Sequence, residues 1–596
     1  MTNETKAEAE AAFFPPHVLR EYALLADGER GAVVGPRGDI VWLCAPRWDS
    51  PAVFSALIGG AGGYSITPAD RFVWGGFYEE GTMIWRSRWI TDGGIIECRE
   101  ALAFPGEPGH AVLLRRVMAV DQDGKVRVAL NPRGDFGRRA FTRVKRQDQG
   151  SWTGRTGGLH VRWSGAPADT RVISSADGLF AELEVPAGTH HDLVLEISDR
   201  ALPDAPPDPD VSWRATESAW AAAVPALEDC LEPRDARRSY AVLRGLTSGG
   251  GGGMVAAATT SLPERADADR NYDSRYVWIR DPSYAGPAAA AAGAPDLLDD
   301  AVRFVSARLL EHGPNLKPAY TSTGEAVPNQ HELDLPGYPG GSNLIGNWVN
   351  RQFQLDAFGE SLLLLSAAGR TDRLDTDGRR AVEAAAAAVA QRWTEPDAGI
   401  WEIDDQAWTH SRLICVAGLK AAATLRGFKK DSADWLALAD RITADTAAHA
   451  VHPTGRWQRS QTDPALDAAL LIPPLRGGTA ADDPRTVATL QGYLAELTRD
   501  GYAYRFRHDQ RPLADAEGSF TLCGFLVALA LHQQHRPVQA ARWYERARAA
   551  AGPPELYAEE FDVNQHQLRG NLPQAFVHAL HLEAAFRLNQ NPDSSR

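Results

Sequence analysis

The chain has little of what would tie it to disulfides, membranes or polyanions. Its five cysteines (Cys44, Cys98, Cys230, Cys415, Cys523) are scattered, odd in number and without metal-type spacing. That argues against a disulfide framework or a cysteine-based metal site, so no metal is expected and the thiols read as buried small hydrophobes. No apolar run approaches the ~20 residues that a bilayer span needs, so no membrane partner is expected. The opening MTNETKAEAEAAFFPP lacks a basic segment followed by an apolar core. No secretory signal is therefore expected, and the expected location is cytoplasmic. Positive charge is also short. With 62 Lys and Arg against 77 Asp and Glu, the formal charge is −15, which speaks against nucleic acid as a partner.

What is present is a soluble-type composition, 44% hydrophobic and 23% charged, in a chain of 596 residues, too long for one ordinary core. Residues 18–200 carry short alternating runs such as GTMIWRSRWIT and DLVLEIS between Gly, Pro and Asp turns, the pattern of an antiparallel β-sandwich. The Pro-rich ALPDAPPDPDVS then reads as a linker. Beyond it, about a dozen Ala- and Leu-rich segments have helical spacing and fit a barrel of paired helices. The expected plan is α+β: a tail over 1–17, a sandwich over 18–200, a linker with a helix over 201–234, a helical barrel over 235–590 and a tail over 591–596.

Three segments concentrate chemistry. Arg270 to Asp281 packs three Arg, two Asp and three aromatic rings into twelve residues. Aromatic faces beside Arg–Asp forks suit a sugar, flat on its C–H face and hydroxylated at its rim; the plain alternative is a structural salt-bridge cluster. Ala398-Gly399-Ile400-Trp401-Glu402 places a carboxyl beside an indole ahead of a helix that opens at Thr409-His410-Ser411-Arg412. An apolar setting raises a Glu pKa and suits a general acid. Glu555 to Asp562 clusters carboxylates, of which one could stay ionised and activate water. Taken singly, a Trp-Glu pair is more often a surface carboxylate and an acidic run a solvated loop.

In order and local sequence these segments resemble glycoside hydrolase family 15, which holds glucoamylases, glucodextranases and a branch of bacterial trehalases. Gly38 to Cys44, Pro46 to Pro51, Thr259 to Glu264, Gly346-Asn347, Gln352 to Asp356, Glu517 to Phe520 and Gly570 to Phe576 are collinear with it. The resemblance implies a β-sandwich followed by an (α/α)6 barrel of six inner and six outer helices. It implies an inverting, exo-acting α-glucosidase that releases β-D-glucose, with a small α-glucoside as its partner and no cofactor. Glu402 would be the general acid and Glu559 the general base, with Glu560 as the fallback one residue on. Arg280 and Asp281 would grip the terminal glucose and Trp278 would wall it. Tyr276, Trp401, His410, Arg412 and Glu517 are further expected substrate contacts, His410 being equally open to a structural role. Such an enzyme holds its two carboxyl groups roughly 6.5–9.5 Å apart, with a water between the base and the sugar.

The chain departs from the bacterial pattern at three places expected to border the pocket. Ser274 stands where relatives carry a tyrosine ring, Gly341 to Ile345 lacks an Arg-Pro-Val-Arg stretch, and Arg412 replaces a lysine. These changes, with the expected cytoplasmic location, favour a disaccharide such as isomaltose or trehalose over starch, with malto-oligosaccharides still open. A disaccharide phosphorylase and a non-catalytic sugar-binding protein are the competing readings. Enzymes of this size often pair, so a homodimer is the expected assembly.

Overall fold

The computed structural model describes residues 14–147, 150–173, 178–265, 270–508 and 511–590. Sixteen strands between Ala23 and Ser198 form two antiparallel eight-stranded sheets. Alternation sends one face of each sheet inward, and the two inner faces meet over Trp89 and Trp163, both essentially inaccessible. Trp163 of the second sheet donates its indole N–H to Tyr64 of the first at 3.1 Å. Arg115 also crosses the gap: it pairs with Glu100 on its own sheet and donates to the carbonyls of Gly38 and Tyr64 on the other. Two wholly buried charges are tolerable only with such satisfaction.

The Pro-rich stretch is not a free tether. It leads into the helix Pro209–Ala223, whose N-cap Asp208 accepts from the Val211 amide at 2.9 Å. That helix lies on the sandwich: Trp220 stacks on Phe104 at 3.9 Å, and the Arg99 guanidinium lies 4.4 Å from the Trp213 ring.

The helical part alternates inner and outer segments. The inner helices are Arg280–Ala291, Asp356–Arg370, Thr409–Ala423, Thr521–Gln533 and Ala575–Arg587, with the short turn Ala468–Leu471 running into Ile472–Leu475 as the sixth. The outer ones are Pro233–Gly245, Asp296–His312, Thr376–Arg392, Ser432–His449, Pro484–Glu496 and Pro537–Arg548. Sequence pattern explains the layering. TLCGFLVALALHQ is apolar on all sides and is buried nearly throughout, whereas PVQAARWYERAR buries only Ala540, Tyr544 and Ala547, one stripe at helical spacing. Two inner helices approach closely at Gly359 and Gly418. A Cβ on Gly418 would stand 2.6 Å from the Gly359 carbonyl oxygen, so no larger residue fits there. No described helix is long and apolar enough to cross a membrane.

The charged segment from Arg270 to Asp281 divides in two. Its middle is structural: Arg275 forks onto Asp273 at 2.9 and 2.7 Å and donates to the Ser50 carbonyl at 2.9 Å, joining barrel to sandwich. Trp42 strengthens the same seam by donating to the Ala258 carbonyl at 2.8 Å. Arg270, Tyr272, Ser274, Trp278 and Arg280 of the segment reach the cavity described next.

Candidate active site

The N-terminal ends of the inner helices, with the loops that lead into them, enclose a cavity of about 230 Å³. Its lining includes Trp278, Arg280, Trp401, Glu402, Glu559 and Phe576. Helix N-termini carry partial positive charge, which suits a site holding carboxylates.

Glu402 sits in a tight turn between Gly399 and Ile403. Its own amide donates to the Gly399 carbonyl at 3.2 Å, and Ile403 donates to Ala398 at 3.0 Å. Its φ of 56° is left-handed, a conformation costing a non-glycine residue about 1–3 kcal/mol, and Glu402 is the cavity-lining residue among the described non-glycine residues that adopt it. Two supports hold the turn. Arg280 donates to the Ile400 carbonyl at 2.6 Å and reaches the Glu402 carboxylate at 3.7 Å. Asp397 accepts from the Gly399 amide at 3.1 Å and pairs with Arg412 at the same distance. Trp401 is anchored by its indole N–H on Asp467 at 2.7 Å. Burial raises the Glu402 pKa above the ordinary carboxylate value, against the pull of Arg280 and then of Trp278.

Glu559 lines the cavity and Glu560 does not. The next residues, Glu560–Asp562, are a strand paired with Ser519–Phe520, so successive side chains point to opposite faces. Glu560 turns away, accepting from the Gly518 amide at 2.7 Å and lying 3.5 Å from Arg505. Gly570 makes room for Glu559: it has a φ of 78°, and a Cβ there would come 3.0 Å from the Glu559 Cβ. Burial, then repulsion from Glu264, lifts the Glu559 pKa, with Arg505, Arg280 and Arg270 opposing.

Behind Glu559 lies a buried ion cluster. Arg505 contacts Glu517, Glu264 and Glu560, and Arg270 pairs with Glu264 at 2.7 Å. The three carboxylates lie close enough together to hold a cation, but the guanidinium groups of Arg505 and Arg270 already lie among them. Since Glu264 is the neighbour that most raises Glu559, Glu264→Gln is expected to lower that pKa. A base loses activity as pH falls through its pKa, so the acid limb of kcat/KM should move to lower pH. α-Glucosyl fluoride isolates this limb because fluoride leaves without a proton donor; a limb that stays put or rises contradicts the coupling.

Of the expected substrate contacts, Arg280, Trp278 and Trp401 border the cavity, and five do not. Asp281, one residue into its helix, is wholly buried, and burial followed by the opposing pull of Arg280 leaves its pKa at about 6. Tyr276 is buried in a small apolar cluster with Ala256, Trp278, Ala319, Val327 and Val349, packed behind the cavity wall that Trp278 forms. His410 is buried behind the turn beside Trp408 and Asp467, where burial takes it down to about 3. Arg412 is committed to Asp397 and to the Glu395 carbonyl at 2.7 Å. Glu517 belongs to the ion cluster; burial would raise it, but Arg505 and His508 outweigh that and bring it to about 2. Of the three departures expected at the pocket, only Ser274 borders the cavity. The Leu344 carbonyl instead accepts from Thr260 and Ser261. Arg505, Gln330 and Trp348 line the cavity without having been singled out from sequence. A signal existed for Arg505, a guanidinium between the rings of Tyr504 and Phe506; Gln330 had none.

Comparison with known proteins agrees with this layout. The model for glycosyl hydrolases family 15 matches residues 237–586, and a trehalase-like N-terminal model matches residues 15–198. The trehalase of Mycolicibacterium smegmatis is 32% identical over 98% of this chain and 93% of its own length. That of Mycobacterium tuberculosis is 31% identical over 98% and 91%. A bacterial glucoamylase complexed with acarbose superposes with a TM-score of 0.71 at 14% identity, covering 98% of this chain and 95% of its own. Its likeness establishes the sandwich-plus-(α/α)6-barrel fold.

Proposed function

The chain belongs to glycosyl hydrolase family 15 and is a glycoside hydrolase, and from that premise we propose that it cleaves trehalose by inversion, with Glu402 as acid and Glu559 as base. The observation that carries this is the placement of these two carboxyls, 157 positions apart in sequence (559 minus 402), on one enclosed cavity. Trehalose is favoured over isomaltose because the relatives that match nearly the whole chain are trehalases.

The roles are assigned by position in the two motifs, since burial raises both carboxyls. Glu402, its pKa raised by burial, carries a proton to the glycosidic oxygen as the C1–O bond breaks. Glu559, lifted to about 8 by burial, acts in its ionised form, which the positive charge growing on the ring favours, and takes a proton from the water that attacks C1 from the opposite face. The attacked glucose leaves as the β-anomer and the departing glucose keeps its α-configuration. Arg280 holds the acid turn in place, and Trp278 and Phe576 give the ring apolar walls. No residue in this sequence of steps needs a metal or an organic cofactor.

Incubation with trehalose, isomaltose, maltose and soluble starch, with and without phosphate, tests the reading. Trehalose is expected to be turned over fastest, to glucose alone. A preference for starch, or glucose 1-phosphate as product, would overturn it.

A further inference from the structure

The cavity changes character along its depth. Around the catalytic pair the rings are buried: Trp278 is 5% exposed and Phe576 2%. At the outer end Trp348 is 39% and Tyr272 41% exposed, and both border the same cavity. Other strongly exposed large apolar side chains, such as Val73, Trp74 and Phe77, belong to an edge strand of the sandwich. A wet indole at the mouth of a sugar-sized cavity has burial energy still to gain from a ligand.

Trp348 is also held rigidly. It opens a single turn, Trp348–Arg351, capped by Asn347, whose side chain accepts from the Val349 amide at 3.0 Å. Val349 is fully buried, and Lys317 donates to the Asn350 carbonyl at 2.9 Å. The Arg351 guanidinium lies 4.1 Å from the centroid of the indole. A ring fixed before binding loses little entropy when a ligand stacks on it. Gln330 and Asn347 add amide groups to the same stretch of lining.

We propose that Trp348 is the platform for the leaving glucose and sets the leaving-group preference of the enzyme. The cleaved glucose fills the buried end against Trp278 and Phe576. The departing sugar lies at the mouth with its C–H face on Trp348, Tyr272 bordering the same outer end and the amides of Gln330 and Asn347 within its reach. The indole has no proton that titrates in the working range, so it acts on binding and orientation. The inference rests on the hydrolase reading and extends it to the second half of the substrate.

The test compares trehalose with α-glucosyl fluoride, whose leaving group has no sugar to stack. Trp348→Ala is expected to raise KM for trehalose about tenfold, with a smaller change in kcat. kcat/KM for the fluoride should be essentially unchanged, and Trp348→Phe should restore most of the affinity for trehalose. Equal losses on both substrates, or no loss on either, overturn the assignment. Because the side chain is partly exposed, the variants are expected to fold, and an unchanged circular dichroism spectrum checks this. If the unaltered enzyme turns over neither substrate, the hydrolase reading fails and this one with it.

Discussion

Glu402→Gln is expected to slow trehalose hydrolysis about 10²–10⁴-fold while leaving most of the activity toward α-glucosyl fluoride. The amide keeps the shape of the carboxyl and its place in the turn but has no acidic proton for the glycosidic oxygen. A glucose alkoxide is a poor leaving group and needs that proton; fluoride does not. The split between substrates separates a proton donor from a residue that only shapes the pocket. Arg280 bears on the outcome, since its bond to the Ile400 carbonyl holds the turn independently of the Glu402 charge. Parallel losses on both substrates would mean the substitution had distorted the turn, and full activity on trehalose would remove Glu402 from the chemistry.

Glu559→Gln is expected to lose about 10²–10⁴-fold on both substrates, because every turnover needs water activated at C1. The neighbouring residue supplies the contrast. Glu560 accepts from the Gly518 amide and faces Arg505, so Glu560→Gln acts on a buried ion cluster. Burial, then repulsion from Glu517, raises the Glu560 pKa well above the ordinary carboxylate value, so the neutral amide is expected to leave both Tm and the proton chemistry little changed. If Glu560→Gln abolished turnover at unchanged Tm and Glu559→Gln did not, the assignment would be reversed.

Much of this site was legible because its residues sit in short local patterns. Gly-Ile-Trp-Glu announces a carboxyl beside an indole, and the inner helices announce themselves by being apolar all round. What the sequence withheld was direction. Asp281 follows Arg280 by one residue, yet a helical first turn separates them by about 100°, sending one to the cavity and the other into the core. Glu559 and Glu560 part for the corresponding reason in an extended strand. Arg412 and Glu517 looked like pocket residues because they lie near motifs, and both are spent on buried partners, Asp397 and Arg505. Trp348 was invisible for the opposite reason: no charge or repeat marks it, and only its exposure beside the cavity sets it apart.

The most direct measurement is proton NMR of trehalose hydrolysis in its first minutes, before the sugars mutarotate. Attack by water from the Glu559 side predicts β- and α-glucose in equal amounts, one from each half of the disaccharide. Initial release of α-glucose alone would mean retention, and the opposed acid–base pair would be wrong.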